Sequence, residues 1–193
     1  MRLFVALDLD DTIRERIARF MDGIRNFAPE VRWVRPESLH VTLKFIGEKP
    51  PAYAEQIGSA LRTVQAAPVT IRFEGYGFFP TPRSARVLWI GMQAGAALAS
   101  LAASVDEAMH SLGVSKEEHP FTPHLTLARS GSGAPRRQKG DGPNRNFQRL
   151  QDKLAALPTS EFGTMTAQEF FLFERELGRG GARYKKIARF ALA

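Results

Sequence analysis

The sequence contains no cysteine, and only four histidines, two tryptophans and three tyrosines among its 193 residues. Without cysteine there can be no disulfide, no thiolate zinc site and no thiol nucleophile. No apolar run approaches the roughly 20 residues needed to span a bilayer. The opening stretch "MRLFVALDLDD" is interrupted by Asp8 too early to serve as a signal peptide. These absences point to a cytoplasmic chain without a membrane segment. The G-x-S-x-G elbow, the G-x-x-x-x-G-K-[ST] loop and the G-x-G-x-x-G fingerprint are missing as well, which leaves serine-hydrolase, P-loop and dinucleotide readings unsupported.

Lys and Arg outnumber Asp and Glu by 27 to 20, a formal charge of +7. That balance favours a polyanionic partner such as RNA, although similar charge also keeps small proteins in solution. A hydrophobic content of 44% is enough to build a sizeable core.

Against this scarcity of histidine, "HVTLKF" begins at His40 and "HLTLAR" at His124. The chain has 10 Thr and 18 Leu. A given histidine therefore opens His-x-Thr-Leu by chance in about 0.5% of cases, and two of four do so about once in several thousand such chains. A lone H-x-T carries no weight; the pair does.

Strands and helices alternate around both motifs. Strands are expected over 2–9, 31–34, 39–46, 69–73, 86–92 and 124–129. A helix capped by Thr12 and Glu15 is expected through Ile13, Ile17, Phe20, Met21 and Ile24, a second over 53–66, and a third from Leu98 to Leu112, stopping at Gly113. A short helix at 147–157 and a hairpin around "LGRGG" close the chain. The loop "EGYGFFPTPRSA" joins the strands at 69–73 and 86–92. Each half holds one H-x-T strand, as an internal duplication would give. Residues 130–146, "SGSGAPRRQKGDGPNRN", read as a flexible basic surface loop. Its Arg136, Arg137, Lys139 and Arg145 could reach over a polyanion, but a solvated insertion is the simpler reading.

In a strand, residues i and i+2 share a face. Unbroken alternation puts His40, Thr42 and Lys44 on one face, with Val41, Leu43 and Phe45 opposite. It does the same for His124 and Thr126 against Leu125 and Leu127. Arg129 would turn to the apolar side unless the strand ends or bulges. Two imidazoles titrating near ~6.5 suit concerted acid–base chemistry, one neutral and one protonated. Threonine hydroxyls can donate to an oxyanion, and Arg or Lys can offset charge on phosphorus. No metal and no cofactor is called for, since H-x-T lacks the spacing of zinc-binding motifs and no carboxylate neighbours either histidine. His110, on a helix, and His119, before Pro120, read as structural or incidental. Trp33, Phe79, Phe121 and Tyr184 could stack on bases, but aromatics in or beside strands are more often core.

These residues resemble the two-histidine (2H) phosphoesterases, and among them the RNA 2′,3′-cyclic phosphodiesterases formerly called 2′-5′ RNA ligases. "RLFVALDL", "RWVRPESLHVTLKFIGE", "GYGFFPTPRSARVLWIGM", "FTPHLTLAR" and "GARYKKIARFAL" follow that family in order and span nearly the whole chain. The departure is the loop 130–146, longer and more basic than the family's. The resemblance implies an α+β fold over 1–193: two pseudo-symmetric lobes, each an antiparallel sheet flanked by helices, facing one another across a central cleft. It also implies His40 as proton donor, His124 as proton acceptor, and Thr42, Thr126 and Arg129 as phosphate-binding residues. The implied partner is RNA ending in a 2′,3′-cyclic phosphate or a related nucleotide, handled by a monomer. The competing readings are ATP-independent 2′-5′ ligation and an RNA- or nucleotide-binding module without turnover.

Overall fold

The computed structural model describes residues 1–130, 145–178 and 181–193. Most of the basic segment singled out above, including Arg136, Arg137 and Lys139, lies outside the described residues. Arg145 is described, and is exposed at the start of a helix.

The chain opens with β1 (Arg2–Asp8) and α1 (Asp11–Ile24). Asp10 caps α1, its side chain accepting from the Ile13 N–H at 2.8 Å. The cap thus lies two residues before the expected Thr12, because Asp10 is the residue still in extended backbone. Ile13, Ile17, Met21 and Ile24 form the buried stripe of α1. Next come β2 (Arg32–Trp33), β3 (His40–Glu48), α2 (Tyr53–Leu61), β4 (Val69–Phe79) and β5 (Val87–Gln93). They are followed by α3 (Gly95–His110), β6 (His124–Arg129), α4 (Arg145–Ala155), β7 (Glu161–Ala167), β8 (Glu169–Gly178) and β9 (Gly181–Ala191).

Three elements differ from expectation. Helix α2 stops at Leu61 rather than 66, where Thr63 turns its hydroxyl onto the Ala60 carbonyl. Strand β4 runs on through "EGYGFF", carried past an irregularity in its pairing at Gly75, which has a positive φ of 71°. Strand β7 has no counterpart in the sequence reading.

The strands form two antiparallel sheets, ordered β3-β1-β8-β9 and β2-β6-β5-β4-β7. The expected α+β fold of two sheets flanked by helices is what the chain adopts. The duplication shows in the pairing. In each half a strand, a helix and the motif strand follow in order, and the motif strand returns antiparallel beside the first: β3 beside β1, β6 beside β5. The helices exchange partners, α1 packing against β7 of the second sheet and α3 against β3 of the first. One continuous core therefore runs through both sheets, from Leu3, Val5 and Leu7 to Ile71, Leu88, Leu125 and Leu127. Burial of each such side chain contributes about 1.5–3 kcal/mol. A smaller cluster, Phe4, Ala6, Phe171 and Phe173 with Tyr184, covers the other face of the first sheet. Among the described residues, no helix is long and apolar enough to cross a membrane.

Candidate active site

Each motif histidine is the first residue of its strand, and each is held in the same way. His40 Nδ1 lies 2.7 Å from the carbonyl of Ser38, and His124 Nδ1 lies 2.8 Å from the carbonyl of Thr122. In both cases the partner is the backbone oxygen two residues earlier. A carbonyl can only accept, so Nδ1 carries the proton and Nε2 is the nitrogen left for other chemistry. Thr42 and Thr126 follow two residues on, half-buried on the same faces as their histidines.

Both motif strands bulge immediately after the threonine. Strand β1 pairs Ala6 with Thr42 and then Val5 with Lys44, so Leu43 is the extra residue. Strand β5 pairs Trp89 with Thr126 and then Leu88 with Ala128, so Leu127 is the extra residue. Two consecutive side chains then point inward, Leu43 with Lys44 and Leu127 with Ala128, and the alternation beyond is reversed. In the second lobe the bulge supplies the break that Arg129 needs. Arg129 is exposed beside Thr126, its Nη2 3.5 Å from Thr126 Oγ1.

In the first lobe the same bulge corrects the sequence reading. Lys44 is not on the histidine face; it is 3% exposed and held by Asp106 at 2.7 Å, Glu117 at 2.9 Å and the Ser115 carbonyl at 2.7 Å. Phe45 takes the position on that face and is 63% exposed. It pairs directly with Phe4, whose ring contacts His40 at 4.8 Å.

His40 sits in an aromatic surround, with Phe4 tilted against it and Tyr184 edge-on at 5.0 Å. Burial holds its pKa below the ordinary 6.5. The Ser38 hydrogen bond and the Asp8 carboxylate push back upward, while Arg14 and Arg129 add to the depression. Arg129 stands on the other sheet, so its charge acts on His40 from the second motif strand, and β3 and β6 approach one another. Asp8 pairs across from His40 on β1, bound to Arg14 and to Lys186. Arg14 also donates to the carbonyls of Pro36, at 2.7 Å, and Leu9, at 3.2 Å, tying the approach to His40 onto α1.

His124 has a barer setting. Its cross-strand partner is Gly91, where an added Cβ would collide with the Glu74 carbonyl. Phe79 meets the imidazole edge-on at 5.5 Å and packs on Trp89 at 5.3 Å. The Trp89 ring lies against the bare backbone of Gly77, where a Cβ would overlap it.

The remaining sequence candidates fall elsewhere. Trp33 donates to the Ala28 carbonyl at 3.0 Å and packs on the core, as does Phe121. His110 ends α3 with Nδ1 3.3 Å from the Val114 carbonyl, and His119 is exposed. Asp8, Arg14, Phe4, Phe45, Trp89 and Lys186 were not singled out from sequence, since strand pairing, and for Arg14 the packing of α1, brings them to the motifs. Among the described residues, no three His, Asp or Glu side chains cluster as a metal site would require. A surface cavity of about 450 Å³, lined by Arg16, Arg19, Phe20 and residues 157–162, includes none of the motif residues.

A family model described as LigT-like phosphoesterase matches the chain twice, over residues 7–89 and 90–184, one motif in each match. An RNA 2′,3′-cyclic phosphodiesterase of Archaeoglobus fulgidus is 35% identical over 190 residues, covering 98% of this chain and 99% of that protein. One from Methanothermobacter thermautotrophicus is 31% identical over 194 residues, covering 100% and 99%. The crystal structure of E. coli LigT complexed with 3′-AMP is similar, with a TM-score of 0.77 and 29% identity, covering 99% of this chain and 97% of that one.

Proposed function

The chain belongs to the LigT-like phosphoesterase family and is an RNA 2′,3′-cyclic phosphodiesterase, and on that premise we propose how its two lobes divide the reaction. His124 Nε2 takes a proton from water as the water oxygen attacks phosphorus. The bond from phosphorus to the ribose 3′ oxygen breaks, and His40 Nε2–H protonates that oxygen. The product is a 2′-phosphomonoester with a free 3′ hydroxyl. The Thr42 and Thr126 hydroxyls donate to the non-bridging oxygens, and Arg129 offsets the charge that builds on them.

The observation that carries this reading is the shared anchoring of the two imidazoles. The same backbone hydrogen bond holds Nδ1–H in both, which leaves each Nε2 as the nitrogen for proton transfer, and Arg129 of the second sheet acts on the charge of His40. A base and an acid on opposite sides of phosphorus suit an in-line displacement, with water entering from one lobe and the ribose oxygen leaving toward the other. Burial disfavours protonated His40 in the free protein, whereas the acid role requires it. An anionic phosphate bound between the motifs supplies the missing charge and raises the imidazole toward the protonated form. Nothing in these steps uses a metal. Both motifs come from one chain, so a monomer is sufficient, and we place its action on cytoplasmic RNA ends.

The test is ring opening of a short oligoribonucleotide ending in a 2′,3′-cyclic phosphate, with EDTA present. The wild type is expected to yield the 2′-phosphate, with His40→Ala and His124→Ala each lowering kcat by about 10²–10⁴-fold. A 3′-phosphate product, or an unimpaired single mutant, would overturn the assigned roles. Ligation would use the same groups with a ribose hydroxyl replacing water, and would appear as a longer product.

A further inference from the structure

We propose that Arg14 is the positioning residue of the acid: its guanidinium fixes the turn whose Ser38 carbonyl holds His40 Nδ1–H, and thereby keeps Nε2 in place for the leaving oxygen. The inference rests on the assignment of His40 as the acid. When His40 gives up its Nε2 proton, Nδ1 must keep its own, and the Ser38 carbonyl is the group that selects that tautomer.

The turn that carries this carbonyl has little support of its own. It is a single 3-10 turn, Pro36–Ser38, closed by the Leu39 N–H on the Pro36 carbonyl at 3.2 Å. Arg14 Nη1 takes up the carbonyls on both sides of Ser38, Pro36 at 2.7 Å and Leu39 at 3.3 Å. Its Nη2 binds the Asp8 carboxylate, and the Leu9 carbonyl at 3.2 Å. Asp8 is the cross-strand partner of His40. One planar group thus joins the turn before the imidazole to the residue beside it. That span needs the fixed fork of a guanidinium, because the single nitrogen of a lysine cannot occupy both Nη sites.

The placement of Arg14 on α1 supports a dedicated role. It lies at the start of the helix, its N–H on the Asp10 carbonyl at 3.0 Å, where the helix dipole disfavours a cation. Its side chain is only 18% exposed, and both Nη atoms are committed to protein acceptors. Arg14 therefore acts through the turn and Asp8, and its loss should slow the chemical step without weakening substrate binding.

The experiment follows wild type, Arg14→Met and Arg14→Lys by two readouts. The first is the His40 tautomer, read by NMR of ¹⁵N-labelled histidine in mildly alkaline buffer and assigned with His40→Ala. The second is kcat and KM on an oligoribonucleotide ending in a 2′,3′-cyclic phosphate. Circular dichroism verifies folding; Asp8 keeps Lys186 in both variants, and Arg14→Lys, which also keeps the charge, carries the test should Arg14→Met fail to fold. Wild type is expected to hold Nδ1–H alone. Both variants should populate the Nε2–H form and lose about tenfold or more in kcat, with KM within about twofold of wild type. Wild-type kcat and tautomer in Arg14→Lys would show that charge alone suffices and overturn the role of the fork. A lowered kcat with the Nδ1–H form intact, or a loss confined to KM, also overturns the proposal. An unimpaired His40→Ala would remove the acid role and the proposal with it, whereas an inactive His40→Ala beside fully active Arg14 variants would overturn the positioning role alone.

Discussion

His40 and His124 share an anchor but not an environment. The rings of Phe4 and Tyr184 strip water from His40, whereas His124 faces the bare backbone of Gly91. Burial lowers the His40 pKa, and the Arg129 and Arg14 charges lower it further. The midpoint of His40, followed by NMR of its ring protons, should therefore lie below 6.5 in the free protein. Removing a cation that disfavours imidazolium should raise it, so Arg129→Met is expected to move the midpoint upward. Added 2′-AMP should raise it in the wild type, because a phosphate anion favours the charged ring. A midpoint at or above 6.5 in the free wild type would refute the burial argument.

At the scale of the element, the bulges do what the residues cannot. A regular strand would send Arg129 into the core and would bring Lys44 to the surface; one extra residue reverses both. The adjacent strand contributes through what it omits. Gly77 leaves the space that the Trp89 ring occupies, and Trp89 is the cross-strand partner of Thr126. Gly77→Ala should displace that ring. We expect a changed tryptophan emission spectrum and a loss of about tenfold in kcat/KM, as misplacement beside a reacting group implies. Unchanged emission together with full activity would show that the close approach is dispensable.

At the scale of the molecule, the two halves of the chain are bound by more than their shared core. Lys44 extends from β3 in the first half and pairs with two residues of the second, Asp106 on α3, which packs on β3, and Glu117 in the chain leading to His124. Burial works against its charge, but the hydrogen bonds and charges of Asp106 and Glu117 outweigh it and raise the Lys44 pKa above 10.5. A raised lysine contributes stability that is complete below its unfolded pKa and lost as pH rises through the folded value. This contribution is therefore present at neutral pH and disappears only in strong alkali. Lys44→Met leaves the Asp106 carboxylate largely enclosed without its partner and should cost about 3 kcal/mol in urea unfolding at pH 7. A change under about 0.5 kcal/mol would mean the pair is merely neutral to the fold.

The two histidines proposed as acid and base, the threonines beside them, the duplicated plan and most of the elements were legible in the sequence alone. These follow from short-range rules: period two in a strand, period 3.6 in a helix, and a rare motif occurring twice. Arg129 was legible only as a condition, since its side depended on a bulge. That both strands bulge, that Lys44 turns inward and Phe45 outward, that Asp8 and Trp89 lie across from the motifs, and that β7 completes the second sheet follow from the pairing of distant strands. The physical reason is that a bulge is a property of two paired strands, and one strand read alone carries no mark of it. Strand β7, "EFGTMTA", is interrupted by Gly163 at a φ of 108° and gains its place from pairing with β4, where Thr166 lies opposite Thr70, 96 positions earlier.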